Sequence, residues 1–107
     1  MKTITVQDIY AQLQTNASDY IILDVRETDE IEQGHVEGIT HIPLALIPLQ
    51  HEQLPPNATV YCICRSGGRS SMAVQQLEEL GYSDVYNVEG GMLEWNVQQL
   101  PYVTGTV

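Results

Sequence analysis

Short apolar runs alternate with stretches of helical periodicity along this chain. Tyr20-Ile21-Ile22-Leu23-Asp24-Val25 is an unbroken β-branched and apolar run, the pattern of a strand covered on both faces. Ala58-Thr59-Val60-Tyr61-Cys62-Ile63 and Asp84-Val85-Tyr86-Asn87-Val88 read the same way, and Thr40-His41-Ile42-Pro43 reads as a short strand stopped by proline. Thr5 followed by Asp8 marks a helix start, with Ile9 and Leu13 on an apolar face that runs to about residue 15. Thr28 is placed to cap a short helix ending near Gly34. Leu44 to Gln53 reads as helical, with Pro48 either in the first turn or breaking it. Ser70 to Leu80 puts Ala73, Val74, Leu77 and Leu80 on one face, with Gly81 in the position that ends a helix. Gly90-Gly91 turns the chain into a last helix carrying Met92, Leu93 and Trp95. Strands alternating with helices predict an α/β fold, with a parallel sheet, right-handed crossovers and helices on both faces. Sites in such sheets lie beyond the C-terminal ends of the strands.

The length of 107 residues sets the expectation of one domain over residues 1–107, large enough to bury a core without a metal or disulfide staple. Hydrophobic residues make up 43% of the chain, enough to drive folding, and no repeat, linker or low-complexity tract interrupts it. A formal charge of −10 argues against non-specific binding to nucleic acid or to an anionic membrane. No segment approaches the ~20 apolar residues of a membrane span, and MKTITVQDIY lacks the apolar run of a signal peptide. Two cysteines, Cys62 and Cys64, stand one residue apart, so their side chains leave the same face of a strand without disulfide geometry. A reducing, cytoplasmic setting is the expectation.

Charge placement then singles out one segment. The basic residues are Lys2, Arg26, Arg65 and Arg69, and two of them fall within five residues of a strongly acidic chain. Cys64-Arg65-Ser66-Gly67-Gly68-Arg69-Ser70 leads from the second core strand straight into the next helix. A loop so placed aims backbone N–H groups at a common centre and sits at the positive end of a helix dipole. Gly67 and Gly68 admit backbone conformations closed to other residues and let a ligand come close. Such surroundings lower a cysteine pKa from about 8.5 into the range of about 3.5–7.5. Arg65 and Arg69 add full charges suited to an oxyanion. A buried structural cysteine before an ordinary glycine turn would leave that concentration of charge unexplained.

Two families carry a cysteine in such a cradle. Protein tyrosine phosphatases use Cys-x5-Arg, a loop sized for a tetrahedral phosphate, whereas Arg69 follows Cys64 after only four residues. The shorter loop, Cys64 through Arg69, resembles the six-residue active-site loop of rhodaneses. Leu23-Asp24-Val25-Arg26-Glu27 is similar to that family's early Asp-Val-Arg signature. Gly34 through Leu44 resembles its Gly-His-x-x-Gly-Ala-x-x-Ile-Pro element, with Ile39 in place of the usual alanine, and Gly90-Gly91 followed by Trp95 resembles its C-terminal signature. The likeness runs from about residue 20 to 97. It implies the rhodanese-like fold, with a central parallel sheet of about five strands and helices on both faces. It also implies a single-domain thiosulfate sulfurtransferase in which Cys64 takes sulfur from thiosulfate or a persulfide and passes it to cyanide or a thiol, a thioredoxin-like acceptor included. In that scheme amides from Arg65 to Ser70, with Ser66, Gly67 and Gly68 among them, hold the persulfide. Arg65 and Arg69 recognise a sulfonate, and no metal or organic cofactor takes part. The rivals are a non-enzymatic sulfur carrier or partner-binding module, and a cysteine-dependent phosphatase or arsenate reductase disfavoured by loop length.

Other residues have two readings each. Asp24 and Arg26 at a neighbouring strand end border the site or form a structural ion pair. Cys62 is a core thiol or a redox partner of Cys64, the latter disfavoured by strand geometry. His35, His41 and His51 lack the spacing of metal ligands. Trp95 and Tyr61 read as packing residues, and Asp29-Glu30 and Glu78-Glu79 as solvated helix faces.

Overall fold

The computed structural model describes residues 1–15 and 19–107. In chain order the elements are β1 (Thr3–Ile4), α1 (Val6–Leu13), β2 (Tyr20–Asp24), α2 (Thr28–Gln33), β3 (Thr40–His41), α3 (Ile47–Gln50), β4 (Thr59–Ile63), α4 (Gly68–Glu79), β5 (Val85–Val88) and α5 (Gly91–Val97). The strands form one sheet in the order β1-β5-β4-β2-β3, and every neighbouring pair is parallel. The chain leaves β2 toward β3 on one side but leaves β4 toward β5 on the other. The C-terminal ends of β2 and β4 therefore flank the point where the winding reverses, the place where open α/β sheets form crevices. Cys64 is the first residue after β4.

Each buried strand feeds two cores, because successive side chains leave opposite faces. Leu23 and Cys62 point to the side covered by α3 and α4, where Ile47, Ala73, Val74 and Leu77 are buried. Ile22, Tyr61 and Ile63 point to the other side, among Val6, Ile9, Ile31, Met92 and Trp95 of α1, α2 and α5. The predicted parallel sheet with helices on both faces is what forms. Thr5 caps α1, its Oγ1 accepting from the Asp8 amide at 3.1 Å.

The structure differs from the periodicity at five places. Two-residue β1 was not foreseen, since an edge pairing this short leaves no pattern. The cap of α2 is Glu27 rather than Thr28, with the Glu27 amide donating to Glu30 Oε2 at 2.9 Å. Residues 44–53 form no single helix: 3-10 turns at Leu44–Leu46 and His51–Gln53 flank the one turn of α3 that holds Pro48. Leu80 lies just past α4 and is 44% exposed instead of facing the core. Most important for the site, α4 begins at Gly68, two residues before the expected start. Gly67 stands in the left-handed region at φ 116° and its carbonyl accepts from the Ser71 amide at 3.1 Å, which draws Gly68, Arg69 and Ser70 into the first helical turn.

Candidate active site

The loop after β4 is shaped from behind by α5. The Met92 amide donates to the Cys64 carbonyl at 2.9 Å and the Leu93 amide to the Arg65 carbonyl at 3.0 Å. With those carbonyls turned toward α5, the Arg65 and Ser66 amides of the same peptide planes point away from it. The Gly67 amide donates to Cys64 Sγ at 3.1 Å, and Ser70 Oγ lies 3.3 Å from the same sulfur. Cys64 is 1% exposed and closes the top of one core, so the sulfur lies at the floor of the cradle rather than on a rim. Burial opposes ionisation and is the largest single influence on this thiol. Hydrogen bonds to the ionised sulfur, from the Ser70 hydroxyl once its hydrogen turns that way and from the Ser70, Gly67 and Ser66 amides, together outweigh it, and the pKa falls below the usual thiol value. Gly68 and Arg69 contribute helix backbone, not a left-handed turn.

The two loop arginines part company. Arg69 projects from the first turn of α4 and forms a two-pronged ion pair with Glu30 of α2, at 2.7 and 2.8 Å. Glu30 is thus not the solvated face residue its sequence context suggested. Arg65 is exposed, and among the described residues no carboxylate pairs with it. Asp24 and Arg26 form an ion pair, the structural one of their two readings. Arg26 donates to the buried Asp24 carboxylate through Nε at 3.0 Å and through a terminal nitrogen at 2.8 Å, and that nitrogen also reaches the Gly34 carbonyl at 2.8 Å. Arg26 lines a cleft of about 290 Å³, together with Glu30, Arg65, Met92, Leu93 and Tyr102.

The Arg69 guanidinium holds the Glu30 carboxyl down at about 2 from its ordinary 4.5, against the opposing effect of burial. A depressed carboxylate stabilises the fold fully above its unfolded pKa and loses that contribution as pH falls through the folded one. Wild-type protein is therefore expected to lose thermal stability between pH 4.5 and about 2 more steeply than Glu30→Gln. Parallel melting curves across that window would remove the pair from the stability of the site.

Several participants escaped the sequence reading. Asn87 on β5 donates from Nδ2 to the Gly67 carbonyl at 3.2 Å and accepts from the Ser70 hydroxyl. The one available signal was a polar residue inside an otherwise apolar strand. Tyr102 reaches the cleft because His35 and Val103 exchange backbone hydrogen bonds at 2.9 Å, which ties the C-terminal segment beside α2. The histidines are occupied locally: His35 Nδ1 donates to the Ile31 carbonyl at 2.8 Å and His41 Nε2 to the Arg26 carbonyl at 2.7 Å, while His51 packs edge-on against Tyr82. Cys62 is fully buried, and burial, followed by the nearby Cys64, pushes its thiol up to about 12. Both cysteines are free. Trp95 and Tyr61 are buried, with Trp95 donating to the Pro101 carbonyl and Tyr61 to Gln12. Among the described residues no helix is long and apolar enough to cross a membrane.

Comparison with known proteins converges on one family. The Rhodanese-like domain matches residues 5–98. A protein from Allochromatium vinosum called "Sulfurtransferase" is 34% identical over 93 residues, 87% of each chain. The "Putative sulfur carrier protein YrkF" of Bacillus subtilis is 43% identical over 74 residues, which span 69% of this chain but 40% of that longer protein. The crystal structure of a rhodanese-related protein from Thermoplasma volcanium superposes with a TM-score of 0.86 at 30% identity, covering 96% of this chain and 98% of the other. With the family's domain matched from α1 to the end of α5, and the overall fold shared with a rhodanese-related protein, this chain belongs to the rhodanese-like family.

Proposed function

We propose that the protein is a sulfurtransferase that carries sulfane sulfur on Cys64. The Cys64 thiolate attacks the outer sulfur of a donor such as thiosulfate. The donor's S–S bond breaks, its electron pair leaves with sulfite, and Cys64 is left as a persulfide. An acceptor nucleophile, cyanide or a thiolate, then attacks the terminal sulfur, and the electron pair of the persulfide bond returns to Cys64. The observation that carries this reading is the Gly67 amide set 3.1 Å from Cys64 Sγ. Donors aimed at the sulfur favour an anion there, in the thiolate before transfer and in the persulfide after it. The relatives called sulfurtransferases support the same chemistry.

Arg65 is the residue proposed to meet the donor's sulfonate, because it is exposed and, among the described residues, paired with no carboxylate, where Arg69 is held by Glu30. Arg69 acts through its charge and by anchoring the first turn of α4. That commitment also weighs against the phosphatase and arsenate reductase reading, which needs an arginine free to clasp the oxyanion. A sulfur carrier would form the same persulfide and differ only in lacking turnover, and the relative named as a carrier keeps that reading in view.

The test is intact mass after incubation with thiosulfate, followed by steady-state transfer to cyanide, glutathione and thioredoxin. A gain of ~32 Da is expected, with multiple turnovers on at least one acceptor. A protein that gains no sulfur from thiosulfate or from a persulfide donor overturns the proposal, and one that loads but never turns over is a carrier. Arg65→Ala is expected to raise the KM for thiosulfate about 10-fold or more while barely changing use of an uncharged persulfide donor. Equal losses with both donors would take Arg65 out of sulfonate recognition.

A further inference from the structure

The hydrogen bonds around Cys64 require more protons than Ser70 can supply at one time. The Gly67 carbonyl only accepts, so Asn87 must present its amide nitrogen there, at 3.2 Å. That fixes the side chain's orientation and leaves Oδ1 facing Ser70. Oδ1 also only accepts, so the single hydroxyl hydrogen of Ser70 goes to Asn87. Ser70 Oγ then offers Cys64 Sγ, 3.3 Å away, nothing but lone pairs. This arrangement suits a neutral thiol, whose S–H donates to Ser70. It does not suit a thiolate or a persulfide anion, which has no hydrogen to give.

We propose that Asn87 is a positioning residue that sets the direction of the Ser70 hydroxyl, holding its hydrogen away from the resting thiol and yielding it to the sulfur anion when Cys64 ionises or is loaded. This rests on the reading of Cys64 as the sulfur-bearing nucleophile. Asn87 and the sulfur anion compete for one hydrogen, and Asn87 favours the protonated resting state. The Gly67 amide needs no such rearrangement, since its N–H already points at the sulfur. The Gly67 carbonyl is also held by the Ser71 amide at 3.1 Å, so the loop keeps an anchor when Asn87 is removed.

The other titratable and charged groups near the sulfur are unchanged by the test. They are Cys62 two positions back in β4, Arg65 next in the chain, Arg69 with Glu30 across from α2, and the Asp24–Arg26 pair at the end of β2. Met92 and Gly91, where α5 meets the loop, carry no charge.

The experiment is a cycle of four proteins, wild type, Asn87→Ala, Ser70→Ala and the double variant. Iodoacetamide alkylation of Cys64 is followed against pH by peptide mapping. Asn87→Ala is expected to move the half-reaction point to lower pH, so that one pH unit below the wild-type midpoint Cys64 reacts about three- to tenfold faster. Adding Ser70→Ala should reverse most of that gain, while Ser70→Ala alone should slow the reaction much less. An upward shift in Asn87→Ala, or equal Ser70→Ala effects in both backgrounds, overturns the proposal, because a hydroxyl permanently donated to sulfur predicts the latter. Should Asn87→Ala fail to unfold cooperatively, Asn87→Leu removes the acceptor while keeping the branched shape and the number of heavy atoms, with the same expectation. Alkylation needs no sulfur donor, so this result stands apart from sulfur loading, which wild-type mass measurement decides separately.

Discussion

Cys64→Ser is expected to abolish sulfur uptake from thiosulfate, a loss of at least about 1,000-fold, while Cys62→Ser retains it. The two cysteines are one residue apart, yet their surroundings push them in opposite directions. Cys62 faces the α3 and α4 side of the sheet at 0% exposure, and burial drives its thiol up to about 12, where almost none is ionised near neutrality. Cys64 is nearly as enclosed, but the amides of Ser66, Gly67 and Ser70, joined by the Ser70 hydroxyl once the sulfur is ionised, reverse the effect of burial and lower its pKa. A hydroxyl in the same place ionises only far above neutral pH, so the amides would have no anion to stabilise. Because the Cys64 pKa is lowered, loading is expected to persist below the ordinary thiol range and to fall off only as pH drops through the lowered value. Intact mass after thiosulfate treatment reads the outcome. A persulfide mass surviving Cys64→Ser, or lost in a well-folded Cys62→Ser, would place the chemistry on the other sulfur.

Much of this arrangement was legible in the chain because it depends on local rules. Apolar runs of four to six residues between helical stretches identify β2, β4 and β5 and a parallel sheet, as the observed pairing shows. Half of the basic residues gathered after β4 mark the loop, and the structure sets that loop beside the winding reversal of the sheet. What was not legible depends on partners distant in sequence. Arg69 reads as an oxyanion ligand until Glu30, 39 residues earlier, is found to hold it. Glu30 reads as a solvated carboxylate for the same reason. Asn87 looks like a defect in a strand until the fold brings it to Ser70 and Gly67. Gly67 and Gly68 look interchangeable, yet only Gly67 needs a positive φ, and the early start of α4 follows from that difference. Local patterning thus locates the candidate nucleophile, while the choice of which neighbouring charges remain free is made by tertiary pairing.

Gly91→Ala is expected to damage stability and site together, by about 3 kcal/mol or more. Gly91 has φ 54°, and a Cβ there would lie 2.4 Å from the Cys64 carbonyl oxygen and 2.7 Å from that of Arg65. Both are backbone atoms, so neither can swing aside as a flexible side chain would. Relief requires α5 to back away from the loop, which breaks the Met92–Cys64 and Leu93–Arg65 backbone hydrogen bonds of 2.9 and 3.0 Å. The two carbonyls then seek other donors, and the peptide planes that aim the loop's amides at Cys64 Sγ turn with them. Urea unfolding should show a much lower midpoint, and the fraction still folded should load sulfur poorly. Gly68→Ala is the contrasting case, since a Cβ there meets nothing within 4 Å and the residue already lies in α4. Its stability should be unchanged or raised, by up to about 1 kcal/mol from helix propensity. Wild-type unfolding and normal sulfur loading in Gly91→Ala would show that α5 does not hold the loop in its sulfur-binding shape.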